Sequence, residues 1–173
     1  MASNQHLIII FAATTAIFFL ASAHAAQINP AELCPKTDFP FLCKAILKNV
    51  HGGCQRALKA NIAATIIQTS KTMAALEHLL PTATGKLKQC LDQTKTEYEN
   101  AIYNMVSVLK AMKEKDKGTV DSNLAAVYTG YSQMNDCFDE LHVAHNPFIH
   151  ENQVLKELAT NSLTFGNEIK YQG

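Results

Sequence analysis

The chain has 173 residues, in which 15 Lys and Arg balance 15 Asp and Glu, and it has no tryptophan. A formal net charge of zero leaves no electrostatic footprint for nucleic acid or for an anionic membrane surface. Five cysteines in a chain of this size point away from a reducing compartment and towards disulfides.

Leu7 to Ala23 is almost unbroken apolar sequence, and Ala23-His24-Ala25 fits the small-x-small rule for cleavage after Ala25. The run falls short of the roughly 20 residues that a membrane span needs, and no basic stop follows it. Residues 1–25 therefore read as a secretory signal peptide. Residues 26–173 read as one mature domain with its own core. No second apolar run approaches spanning length, so no stable membrane association is expected, and no Asn-x-Ser/Thr sequon occurs.

Asn29 to Asn49 is broken by Pro30, Pro35 and Pro40 into short helical pieces. Cys34 and Cys43 bracket two of these prolines, and a bridge between them would staple a tight hairpin. A closed loop of roughly ten residues contributes about 3 kcal/mol by restricting the unfolded chain.

After Gly52-Gly53, Leu58, Ile62, Ile66, Thr69, Met73, Leu76 and Leu80 step by three and four along one helical face. Pro81 to Gly85 breaks this run. Leu87, Leu91, Thr94, Tyr98, Ile102, Met105, Leu109 and Met112 form a second stripe. It ends at Lys115-Asp116-Lys117-Gly118, where Gly118 suits a C-cap. The third run is Val120, Leu124, Val127, Tyr131, Met134, Phe138 and Leu141, with Thr119 or Asp121 as its N-cap. Pro147 lies in the next connection. Leu155, Leu158, Ser162, Phe165 and Ile169 form the fourth.

Four amphipathic helices with short links cannot bury their stripes alone, and an up-down-up-down bundle is the economical solution. The predicted fold is therefore all-α: an antiparallel four-helix bundle preceded by a short helical hairpin. Cys90 near the start of the second helix and Cys137 near the end of the third are then neighbours, so a bridge between them is geometrically sensible. Spacing alone does not select among the possible pairings of five thiols.

No constellation for catalysis stands out. Cys54 follows His51-Gly52-Gly53 at a helix start, where the dipole can lower a thiol pKa and make a nucleophile. No orienting acid or oxyanion-hole motif accompanies it, so the expectation is an inert small residue. His142, His145 and His150 have a spacing that could hold zinc, yet a polar loop rim explains them as well, and they could make binding pH-sensitive. Asp136, Asp139 and Glu140 share one helix, which suits a solvated face better than a glycosidase pair across a cleft. The chain also lacks a Walker A loop, a GxGxxG and a CxxC. No cofactor, no metal and no nucleic acid is expected.

Cys34, Lys36, Thr37, Pro40 and Cys43 resemble the opening C-x-K-T-x-x-P-x-x-C of plant pectin methylesterase and invertase inhibitors. Leu87 to Leu91 is similar to the family's L-x-x-C segment, and Cys137 to Leu141 to its C-x-D-x-F segment. Pro147 and Phe148 with Asn152, Leu155 and Leu158 resemble the start of its last helix. The resemblance covers the mature chain. It implies bridges Cys34–Cys43 and Cys90–Cys137, leaving Cys54 as the free thiol. It also implies a protein without activity of its own that binds a cell-wall or vacuolar enzyme one-to-one and blocks its active-site cleft.

Several positions depart from the family pattern. Thr94 stands where a tyrosine is frequent, with Tyr98 one turn later. Tyr128 to Ser132 replaces a small-residue stretch. Asp136 precedes Cys137 where pectin methylesterase inhibitors often have threonine. Asp116 to Thr119 fills the link where invertase inhibitors often carry Pro-Lys-Phe. The segment after Cys43 is shorter than usual, and Cys54 falls where members of the family seldom have cysteine.

The expected function is inhibition of pectin methylesterase in the apoplast, through the outer faces of the second and third helices. Asp116, Lys117, Asn123, Tyr128, Thr129 and Ser132 are the candidate contacts. The alternative target is invertase, in the cell wall or the vacuole, favoured by Asp136 and by Pro147-Phe148. An alternative of another class is a bundle that carries a small apolar ligand between its helices.

Overall fold

The computed structural model describes residues 30–171; the expected signal peptide and the start of the mature chain lie outside the described residues. Helix α1 (Pro30–Leu33), a 3-10 turn (Cys34–Lys36) and α2 (Pro40–Leu47) form the leading hairpin. Prolines sit in the first turns of the 3-10 turn and of α2, where their missing N–H costs nothing. Cys34 and Cys43 are bridged, and both are fully buried.

The bundle consists of α3 (Cys54–Leu79), α4 (Gly85–Glu114), α5 (Lys117–Gln133) with its short continuation α6 (Asp136–Glu140), and α7 (Ile149–Glu168). Helix α3 packs beside α4 and α7, and α5 packs beside the same two, which closes a square. Among the described residues there is no strand. The expected antiparallel bundle with a helical hairpin and two disulfides is the fold observed.

The apolar stripes face inward as their spacing requires. Leu58, Ile62, Leu76, Leu91, Val108, Val120, Leu155 and Phe165 are all fully buried, each stabilising by roughly 1.5–3 kcal/mol. The inner face of α3 is nonetheless half polar: Asn61, Thr65, Thr69 and Thr72 are buried there. The threonines keep their methyl groups for packing. Their hydroxyls donate to carbonyls one turn back, Thr65 to Asn61 at 2.7 Å, Thr69 to Thr65 at 2.8 Å and Thr72 to Gln68 at 3.0 Å.

Two tyrosines cross the diagonals of the square. Tyr98 of α4 donates to Oδ1 of Asn152 of α7 at 2.6 Å, and Tyr131 of α5 meets Thr69 of α3 at 2.6 Å. Burial pushes both phenols well above their ordinary pKa. At the other end of the bundle, Asn61 Nδ2 donates to the carbonyl of Leu158 at 2.8 Å and to Oγ of Ser162 at 2.7 Å, tying the start of α3 to the later turns of α7.

Three local expectations are corrected. Helix α4 ends with Lys115, not Gly118, in the left-handed conformation, φ 59°, and Gly118 belongs to the first turn of α5. The N-cap of α5 is Asp116 rather than Thr119 or Asp121: its Oδ1 accepts from the Thr119 N–H at 3.0 Å and its Oδ2 from the Thr119 hydroxyl at 2.6 Å. With only Lys115 and Asp116 between the helices, the first must reverse the chain and the second must start the next helix. The third stripe is not one helix, because it breaks at Met134-Asn135. There Oδ1 of Asn135 accepts from Asn146 at 2.8 Å and from Asn152 at 2.9 Å, so the break serves the α6–α7 connection.

Candidate functional site

Helices α4 and α5 are fastened together at both ends. The two-residue turn Lys115-Asp116 joins them at one. At the other, the disulfide between Cys90 in the second turn of α4 and Cys137 in α6 holds Cα atoms 5.5 Å apart. Their shared outer face is thus held by covalent links as well as by packing.

An open groove of about 540 Å³ runs between the two helices on this face. Glu97, Asn100 and Asn104 line it from α4, and Thr129, Gly130 and Gln133 from α5. Small side chains at Ala101 and Ala126 leave the space open, and Tyr103, 72% exposed, stands at the rim. A methyl group built on Gly130 would lie 3.2 Å from Oε2 of Glu97, so this carboxylate rests against bare backbone of α5. The lining offers amides, a hydroxyl, a carboxylate and an aromatic face. Such groups bind by hydrogen bonding and charge.

Of the six sequence-based contact candidates, Thr129 alone lines the groove. Three are engaged in local bonds at the start of α5. Asp116 caps the helix, and the Thr119 hydroxyl, more than the Thr119 N–H, holds its carboxyl below the usual range. Lys117 Nζ donates to both oxygens of Asp121, at 2.5 and 2.6 Å. Asn123 Nδ2 donates to the Thr119 carbonyl at 2.8 Å.

Tyr128 is half-buried against the core. It stands two turns after Asp121, whose carboxylate borders Gly166 of α7, and helical spacing puts Tyr128 on that same flank. Ser132 is half-buried one turn further on, its hydroxyl enclosed without a hydrogen-bond partner. The six candidates therefore spread over two flanks of α5 instead of forming one patch. The groove residues Glu97, Asn100, Asn104 and Gln133 were missed. For Glu97, Asn100 and Asn104 the signal was a polar stripe on α4 with steps of three and four, which reads equally as a solvated face; Gln133, on α5, had none.

Cys54 is the first residue of α3 and only 6% exposed. Burial first, and the Glu168 charge second, push its thiol pKa up, opposite to the dipole effect expected at a helix start. It is not an activated nucleophile. His142, His145 and His150 are all exposed around the α6–α7 connection, and among the described residues no group of three or more His, Cys, Asp or Glu could hold a metal ion. Asp136, Asp139 and Glu140 are exposed on α6. No described helix is long and apolar enough to cross a membrane.

Comparison with known proteins adds the ancestry. The family model described as plant invertase/pectin methylesterase inhibitor matches residues 29–165. Among solved structures, a mutant form of a pectin methylesterase inhibitor from Arabidopsis is similar at 19% identity and TM-score 0.72, covering 83% of this chain and 98% of that chain. A second structure of a pectin methylesterase inhibitor, from Arabidopsis thaliana, is similar at 20% identity and TM-score 0.64, covering 80% and 94%. At these identities the structural likeness speaks for the fold. A comparison with curated proteins finds no match.

Proposed function

Since this chain belongs to the plant invertase/pectin methylesterase inhibitor family, whose members are enzyme inhibitors and not enzymes, we propose that its target is a pectin methylesterase. In this reading the protein is exported to the apoplast and binds the enzyme one-to-one across its pectin groove. The α4–α5 face supplies the contact. The observation that carries the reading is the coincidence of the family match with a polar, solvent-open face fastened at both ends. A pre-organised face loses little entropy on docking, so more of its contact energy appears as affinity.

The choice of target rests on the α4–α5 turn. The Pro-Lys-Phe of many invertase inhibitors is absent, and Asp116 to Thr119 is consumed in capping α5. Invertase remains the second reading, on Asp136 before Cys137. A carrier of an apolar ligand is the least suited, because hydrogen-bonded tyrosines and asparagine occupy the bundle axis and the groove lining is polar.

The deciding experiment mixes refolded residues 26–173 with purified plant pectin methylesterases and with invertases, at mildly acidic to neutral pH. Stoichiometric inhibition of a pectin methylesterase with invertase untouched is the expected result. Inhibition of invertase alone would transfer the assignment, and inhibition of neither would defeat it.

A further inference from the structure

We propose that the α4–α5 groove is the receptor for an arginine side chain on the partner protein, with Glu97 as the residue that recognises it; this deepens the inhibitory reading above and rests on it. The first support is charge. Along α4, Asp92, Glu99 and Glu114 each pair with a lysine one turn earlier, Lys88, Lys95 and Lys110. Glu97 has Gln93 and Ala101 at the corresponding positions. It makes no ion pair and no side-chain hydrogen bond among the described residues. No cation lines the groove either, so Glu97 is its one formal charge. Bare backbone at Gly130 leaves the carboxylate room while closing one side against water.

The second support is shape and chemistry. A guanidinium presents five N–H donors in a plane and accepts nothing. Glu97 can take two of them in a bidentate pair. Asn100, Asn104, Gln133 and Thr129 line the same groove with amide oxygens and a hydroxyl, from which the three remaining N–H groups can draw acceptors. The ring of Tyr103 at the rim offers a face for the cation. A lysine ammonium has three donors on a single atom and would leave most of these acceptors unused. A neutral saccharide could donate hydroxyls to the carboxylate but would leave its formal charge uncompensated.

The test compares wild type, Glu97→Gln, Glu97→Arg and the control Glu99→Gln, whose carboxylate pairs with Lys95 away from the groove. Binding to an inhibited pectin methylesterase is measured over a range of ionic strength, with thermal melts of each variant. Glu97→Gln is expected to weaken binding roughly tenfold or more and to flatten its salt dependence. Glu99→Gln should leave both unchanged. Glu97→Arg should be rescued by one Arg→Glu change in a scan of the enzyme's exposed arginines. Equal affinity and equal salt slope for wild type and Glu97→Gln would overturn the proposal while leaving the inhibitor intact. Glu97-dependent binding of a neutral oligosaccharide, without any rescuing arginine, would replace it with a saccharide site. Failure of the wild type to inhibit any enzyme would instead remove the inhibitory reading and this proposal together.

Discussion

The hydroxyls of Tyr131 and Thr69 meet at 2.6 Å across one diagonal of the bundle, with Tyr131 about 1% and Thr69 0% exposed. Thr69 donates its own proton to the carbonyl of Thr65 at 2.8 Å, so Tyr131 is the donor in the shared bond. The two partners are then not equivalent. Tyr131→Phe removes a donor and leaves Thr69 bonded, costing about 1 kcal/mol. Thr69→Val strands the phenol in the core and should cost about 2 kcal/mol. The double variant should recover much of that loss. Denaturant unfolding of the three variants checks the order, and a larger loss for Tyr131→Phe would refute it.

Removing the Cys90–Cys137 bridge frees a loop with a sequence separation of 47. Cys90→Ala with Cys137→Ala should lower stability by about 4 kcal/mol, against about 3 kcal/mol for the Cys34–Cys43 pair, whose separation is 9. The first double variant should also loosen the α4–α5 face and weaken target binding, whereas the second should spare it. Equal loss of inhibition in both would show that the face does not depend on its bridge.

Asp116 supplies a pH dependence. Its folded-state pKa lies below the ordinary 3.8 because the ionised carboxylate accepts from Thr119. Its charge-dependent stabilisation is therefore complete above the unfolded pKa and disappears as pH falls through the lowered folded value. Asp116→Asn keeps an acceptor but no charge. The stability gap between wild type and this variant should be constant near neutrality and close in acid. A gap that widened as pH fell would contradict the assignment.

Cys54 should be unreactive in the folded protein. Burial both hides the thiol and disfavours the thiolate, so native alkylation should be slow and should accelerate on adding denaturant. Cys54→Ala should leave the fold and any inhibition in place. Rapid native labelling would mean that the start of α3 opens readily.

The resemblance alone already gave Cys34–Cys43 and Cys90–Cys137 as bridges, and the stepping of apolar residues located all four bundle helices. Where the sequence misled, two local signals competed. Gly118 has a strong C-cap propensity, yet the two-residue connection left that conformation to Lys115. The apolar stripe from Val120 to Leu141 runs unbroken in the sequence. The helix nevertheless breaks at Met134-Asn135, where the Asn135 side chain accepts from Asn146 and Asn152, partners 11 and 17 residues away.

By itself, the sequence determined which residues turn inward, because helical periodicity is a local property and burying apolar surface is its consequence. Which polar residues join them was decided by tertiary structure. Thr65, Thr72 and Asn152 tolerate burial because a carbonyl or amide oxygen stands within bonding distance, and Asn61 bonds through Nδ2 while its Oδ1 has no partner. The groove beside Glu97 is likewise a product of packing: it exists only where Gly130 and Ala126 of one helix meet the outward carboxylate and amides of another.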